Sequence, residues 1–305
     1  MPKKAMLGPL SDMDIRLLKV FRTITDSGGL SAAELALNIG RSTISRHLRD
    51  LEMRLGVTLC RRGRAGFELT PEGHIVYDAT LRLLGAFDEF RGSVNDVHEK
   101  MRGHINIALH DKTITNKESR MHEAIRRFDD AAPEVTIDVH IEPLNEIERG
   151  IIDGRFHLGV VPMHRVSSTL DYYSLFEEPM HLYCGRHHPF FSSSNLPNDK
   201  ILSAKFAGLG YHSPNMMIGD QLNMRRIATG YDQEAIALLI LSGKYIAYLP
   251  DHYAGQFVDR GEMARIQSDV FRYTCDFSAI VRNSPKPSLV LQHFLDEVVL
   301  CHQSK

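Results

Sequence analysis

Tryptophan is absent from these 305 residues, and cysteine is scarce. The four cysteines, Cys60, Cys184, Cys275 and Cys301, lie far apart, with no C-x-x-C pair among them. That spacing excludes a disulfide framework and a cysteine-based metal site, and it predicts buried, reduced thiols. Long hydrophobic runs are missing as well. The longest, Ala235 to Leu241, falls well short of the roughly 18 residues that a membrane-spanning helix needs, so no membrane partner is expected. Near the start, Lys3 and Lys4 stand without the apolar stretch of a secretory leader, and the expected address is the cytoplasm.

Catalytic signatures are equally thin. Among the 16 histidines, including His181 and the pair His187–His188, no H-x-x-x-H or H-E-x-x-H spacing occurs. There is no G-x-S-x-G, and Gly208-Leu209-Gly210 lacks the third glycine of a dinucleotide loop. No enzyme, no metal and no cofactor is expected. Nor does one sign of charge dominate, since 36 basic residues face 38 acidic ones. The even total hides an uneven distribution. Residues 1–70 hold twelve Lys and Arg against seven Asp and Glu, which leaves the remainder acidic. Seven of those basic residues, all arginine, fall between Arg41 and Arg64. Arginine is the side chain that forks onto guanine or phosphate, and a basic head on an acidic body points to a DNA-binding module joined to something else.

The head has a readable pattern. Ser11-x-x-Asp14 is a capping box that opens a helix with Leu17, Leu18, Phe21 and Ile24 on one face, and Gly28-Gly29 ends it. Ser31-x-x-Glu34 repeats the device for a short helix running to about Asn38. A third helix carries Ile44, Leu48, Leu51 and Leu55 inward and stops at Gly56. Two short helices across a tight turn make a helix-turn-helix. Its outward face presents Arg41, Ser42, Thr43, Ser45, Arg46 and Arg49, donors suited to base edges and phosphates. The basic, glycine-punctuated stretch Arg61 to Phe67, lying between Val57-Thr58-Leu59 and Phe67-Glu68-Leu69, reads as a hairpin wing, with Arg62 and Arg64 on the phosphate backbone.

Thr70-Pro71-Glu72-Gly73 then opens a long helix. Val76, Thr80, Leu83, Phe87, Phe90, Val94, Val97 and Met101 step by four and three along it, the seam of a coiled-coil joint between two copies. The same spacing also suits a helix packed on its own domain, because periodicity does not name the partner. After Gly103 the texture changes. Strand-like alternation (Ile105, Ile107, Leu109), a helix (Met121, Ile125, Phe128), a second strand (Val135 to Ile141), a helix (Leu144, Ile147, Ile151) and a strand Leu158 to Val161 predict a parallel sheet with its ligand edge at the strand C-termini. A second unit follows: strands Met180 to Cys184, Ala207 to Tyr211 and Tyr245 to Leu249, with a helix Asp232 to Ser242.

Four stretches together resemble the N-terminal signature of LysR-type transcriptional regulators: Ser31 to Ala36, Thr43 to Glu52, Leu55-Gly56-Val57-Thr58-Leu59 and Leu69-Thr70-Pro71-Glu72-Gly73. The likeness continues through Arg102-Gly103, Asp153 to Val160 and Leu241 to Pro250. It implies an α/β chain overall: a winged helix-turn-helix over 1–70, a linker helix over 71–102, and an effector domain over 103–305 similar to type 2 periplasmic binding proteins. That domain would have two subdomains, 103–162 with 268–305, and 163–267. The resemblance implies a homodimer, or a homotetramer, on a dyad-symmetric double-stranded DNA site near a promoter. A small-molecule effector, and RNA polymerase, are the further partners it admits. Two departures stand out: Arg41-Ser42 replaces a common Gln-Pro, so no base preference carries over, and Cys60 replaces a large aromatic.

Carried over by position, the resemblance puts Ser31 with the DNA-contacting residues and Leu83, Phe87, Phe90, Val94 and Val97 in the dimer joint. The effector cleft would take Asp111, Lys112, Thr113, Thr115, Asn145, His164, His212, Ser213, Tyr231 and Asp232. Hydroxyls at helix N-termini, together with Lys112 and His212, suit a small carboxylate. A rival reading keeps the DNA-binding head but makes the body an oligomerising scaffold that senses nothing. It requires a cleft filled by side chains such as Met216, Met217 and Phe271.

Overall fold

The computed structural model describes residues 8–63, 66–97, 101–193, 196–266 and 270–303. Its contacts fall into two units, Met1–Asp88 and Glu89–Lys305. In the first, α1 (Asp12–Asp26) opens on the capping box: the Asp14 carboxylate accepts the Ser11 N–H at 2.8 Å and the Ser11 hydroxyl accepts the Asp14 N–H at 3.4 Å. The second box does not form. Helix α2 (Leu30–Leu37) starts at Leu30, with Gly29 at φ 143° as its cap and no side-chain cap bond. Glycine tolerates that backbone, so the chain enters the helix one residue early and buries Leu30. Ser31 is thus inside the helix and exposed, and Glu34 accepts the backbone N–H of Arg41 instead.

Helix α3 (Arg41–Leu55) follows a turn through Asn38 at φ 50° and ends at Gly56 at φ 70°. Strands β1 (Cys60–Gly63) and β2 (Gly66–Leu69) pair antiparallel, Cys60 opposite Leu69. The hairpin begins at Cys60 rather than Val57, because Thr58 and Leu59 are tied elsewhere. The Thr70 hydroxyl donates to the Thr58 carbonyl at 2.6 Å, and the Thr70 N–H to that of Leu59 at 3.0 Å. The same hydroxyl accepts the Gly73 N–H at 2.9 Å and so caps α4 (Pro71–Val97). Phe21, Ile24, Ala33, Ile44, Leu48, Leu51, Leu59 and Cys60 form the core of this unit.

The second unit runs β3 (Gly103–Leu109), a 3-10 turn (Thr113–Thr115), α5 (Met121–Ala131), β4 (Val135–Ile141), α6 (Leu144–Ile152), β5 (Leu158–Pro162), β6 (Leu170–Gly185), α7 (Asn198–Ser203) and β7 (Phe206–Leu209). It continues with α8 (Pro214–Gln221), β8 (Arg226–Gly230), α9 (Gln233–Leu241), β9 (Ile246–Pro250), α10 (Asp251–Asp259), β10 (Met263–Arg265), β11 (Arg272–Arg282) and α11 (Leu289–Gln303). Its strands join in one sheet of order β4-β3-β5-β11-β6-β9-β7-β8, with β10 beside β6. The sheet is mixed rather than parallel. β3 is parallel to β4 and β5, and β7 to β8 and β9, as a β-α-β rhythm requires. Between these ends, β11 is antiparallel to both β5 and β6. The expected strand Met180 to Cys184 is the second half of the 16-residue β6.

Helix α11 packs on α5 through Phe294 edge-on to Phe128, with ring centroids 5.1 Å apart. In the middle of the sheet Phe176 stacks on Phe277 at 4.9 Å. All four cysteines are buried, and burial pushes the Cys184 thiol up to about 11. Among the described residues no helix is long and apolar enough to cross a membrane.

Candidate nucleic-acid interface and ligand cleft

Helix α3 has two faces. Ile44, Leu48 and Leu51 are buried on one, while Arg41, Ser42, Arg46 and Arg49 are exposed on the other and Thr43 and Ser45 are half-buried. Among the described residues no carboxylate pairs with the side chains of Arg41, Arg46 or Arg49, so their guanidiniums carry full charge outward. Arg54 differs. It grips Asp14 of α1 with both nitrogens, Nη2 to Oδ2 at 2.9 Å, and this hydrogen bond, with those of Ser11, holds the Asp14 carboxyl well below the usual carboxylate range. Arg54 is therefore a strut between α1 and α3. In the hairpin, the backbone of Arg62 pairs with Phe67, but its side chain, like the whole of Arg64, lies outside the described residues.

The apolar seam of α4 divides at its middle. Thr80 is buried, and Val76 and Leu83 are half-buried against the first unit's own core. Farther on, Phe87, Phe90 and Val94 are 42%, 67% and 43% exposed. The side chain of Val97 lies outside the described residues. Three apolar side chains of the seam thus stay open to solvent.

In the second unit, the loop after β3 reaches across to α9 and α10. Asp111 Oδ2 accepts the Gln233 N–H at 2.7 Å, Lys112 Nζ lies 3.0 Å from Glu234, and the Thr115 hydroxyl is 2.7 Å from His252 Nδ1. His252 in turn meets the buried Glu178 at 2.7 Å. Lys112 also sits 5.2 Å from the centre of the Tyr253 ring. Burial opposes its charge, but Glu234, Tyr253 and Asp111 outweigh that and hold its pKa above the ordinary lysine value. Thr113 is buried, its hydroxyl bonded to the His110 carbonyl.

A second contact joins the turn after β5 to that after β7. The His164 ring lies 5.1 Å from that of His212, with Glu148 Oε1 3.8 Å from its Nε2 and Arg165 on the other Glu148 oxygen at 2.9 Å. Burial, helped by Arg165 and His212, lowers the His164 pKa against the pull of Glu148. The remaining residues serve nearer neighbours. Ser213 caps α8 by accepting the Met216 N–H, Asp232 caps α9 by accepting the Ala235 N–H, and Asn145 bonds to Glu146. Tyr231 is exposed. Met217 is exposed too, and Phe271 belongs to the main core. Sequence reasoning did not find His110, Glu178, Gln233, Glu234 or His252, since none stands in a motif. Among the described residues no three His, Cys, Asp or Glu converge as a metal site would require.

Residues 15–74 match the bacterial regulatory helix-turn-helix of the lysR family, and residues 98–299 match the LysR substrate binding domain. The chain belongs to the LysR family. Within it, the chain is 40% identical to the HTH-type transcriptional activator BauR of Pseudomonas aeruginosa, over 96% of this chain and 97% of that one. It is 27% identical to the regulator YtlI of Bacillus subtilis over 58% of its length and 56% of that protein's. The crystal structure of CbnR, a LysR family transcriptional regulator, shares its fold at a TM-score of 0.65 and 19% identity, covering 94% of this chain and 99% of that one. CbnR complexed with its target DNA gives 0.64, again at 19% identity, over 95% and 100%. The mixed sheet with its helix-turn-helix head is thus the LysR architecture.

Proposed function

We propose that this LysR-family chain is a DNA-binding transcriptional regulator, acting in the cytoplasm, whose promoter binding responds to a small carboxylate effector held between the two ends of its second-unit sheet. The likeness to BauR, which is named an activator, favours activation as the output. Arg41, Ser42, Thr43, Ser45, Arg46 and Arg49 read the major groove, with Ser31, Arg62 and Arg64 on the phosphates. The division we propose remains 1–70 for DNA, 71–102 for the dimer joint and 103–305 for the effector. Phe87, Phe90 and Val94 seal that joint, with Leu83 at its near end and Val97 at its far one. The cleft takes its ligand among Lys112, Thr113, Thr115, Asn145, His164, His212, Ser213, Tyr231 and Asp232.

The observation that carries this reading is the exposed arginine face of α3, whose Arg41, Arg46 and Arg49 side chains have no carboxylate partner among the described residues, backed by a buried apolar face. Selection of bound duplexes from a random-sequence pool tests it. The wild type enriches a dyad-symmetric site, and an Arg46→Ala, Arg49→Ala variant does not; equal enrichment by both would overturn the assignment. For the effector, one class of carboxylate raises Tm in a thermal-shift panel, since a ligand of the native state stabilises it by mass action. That same class shifts affinity for the selected duplex.

A further inference from the structure

The cleft already holds a carboxylate, supplied by the chain itself. Asp111 Oδ2 accepts the Gln233 N–H at 2.7 Å, at the first residue of the nine-residue α9. The first-turn N–H groups of a helix have no partner within it and carry partial positive charge, which makes them an anion site. Asp232 satisfies the Ala235 N–H of that turn, and Asp111, arriving from the far end of the sheet, satisfies Gln233.

Two buried groups beside this carboxylate are incompletely bonded. His110 has Nε2 3.3 Å from Asp111 Oδ1, yet among the described residues its Nδ1 has no partner, and Gln233, which donates its N–H to Asp111, has none for Oε1. Both residues are only 4% exposed. A buried polar atom without a partner destabilises the fold, and a ligand reaching between the loop after β3 and α9 would supply partners to these two.

We infer that Asp111 is a built-in stand-in for the effector: its carboxylate occupies the anion position of α9, and a carboxylate ligand binds by displacing it. The inference rests on the reading above that the cleft takes an anionic effector. It also narrows the ligand to a carboxylate with a hydrogen-bond donor close by, to meet Gln233 Oε1. Displacement removes the Asp111 bridge between the loop after β3 and α9, so ligand entry exchanges one cross-link for another.

Acetate, with chloride at equal ionic strength as its control, tests this by thermal shift on the full chain. The wild type, its site filled, melts at the same temperature in both salts. Asp111→Ala melts lower in chloride and regains stability in acetate along a saturating curve, with an apparent affinity at least tenfold tighter than the wild type shows. Glu234→Gln breaks the neighbouring Lys112 contact while leaving Asp111 in place, and responds like the wild type. Should Asp111→Ala not fold, Asp111→Asn, which keeps the shape and loses the charge, is held to the same criterion. An Asp111 variant no more responsive to acetate than the wild type overturns the inference, as does a Glu234→Gln response equal to it. Duplex binding by the wild type, followed in parallel, reports on the regulator reading separately.

Discussion

Arg46 and Arg54 share one helix and do different work. Arg46 is exposed and has no carboxylate partner among the described residues, whereas Arg54 is locked onto the buried Asp14. Arg46→Ala is expected to weaken site-specific DNA binding by roughly 1–3 kcal/mol, measured by fluorescence anisotropy at fixed salt. An unchanged Kd would remove Arg46 from the reading set. Arg54→Ala acts on stability instead. It strands the Asp14 carboxylate without its main partner, so the first unit melts earlier, as circular dichroism would show. Asp14 is lowered in the folded state, so its contribution is present above the ordinary carboxylate pKa of 3.8 and is lost as pH falls below it.

At the scale of elements, α4 makes two demands on its sequence. Near its start, a Cβ on Gly73 would stand 1.9 Å from the Leu59 carbonyl oxygen, which is backbone and does not yield cheaply. Gly73→Ala is therefore expected to destabilise the first unit even though alanine is the better helix former, and urea titration checks it. Farther along, Phe90→Glu places a charge in the exposed seam. The variant is expected to sediment as a smaller species than the wild type, and an unchanged mass would exclude this face from the oligomer. Much of the head was legible because its signals are local: Ser11 with Asp14, Gly56, and Thr70 before Pro71 each act within a few residues. Where legibility failed, a neighbour intervened. Gly29 moved the start of α2, and Thr70 drew Thr58 and Leu59 away from the hairpin.

For the molecule as a whole, distance in sequence set the limit. The middle of β6 carries Glu177, Glu178 and Pro179 and does not alternate like a half-buried strand, yet β11 pairs with β6 from Leu170 to His181 and β9 with it from Met180 to Cys184, both from far along the chain. The Asp111–Gln233 contact shows the same limit, since the two residues meet only once the sheet is assembled. Three histidines of the second unit, His164, His188 and His302, have pKa values lowered chiefly by burial. Their neutral forms favour the folded state, so the stability they confer is full above about pH 6.5 and falls as the pH drops through that value toward their folded pKa. Urea midpoints that do not decrease between about pH 7.5 and 5.5 would contradict this.

β6 and β11 run side by side from Leu170 opposite Arg282 to His181 opposite Arg272, and their register shifts once, at Phe277/Ser278. They form a long continuous ladder with one irregular step. Between these ends β6 and β11 pair residue by residue except at the irregular step, where Leu175 is passed over between Phe176 and Ser174. Phe277 at that step stacks on Phe176 and lies 6.3 Å from the ring of His110, the neighbour of Asp111. On the proposed reading, a change of occupant beside Asp111 would bear on the register shift at Phe277/Ser278.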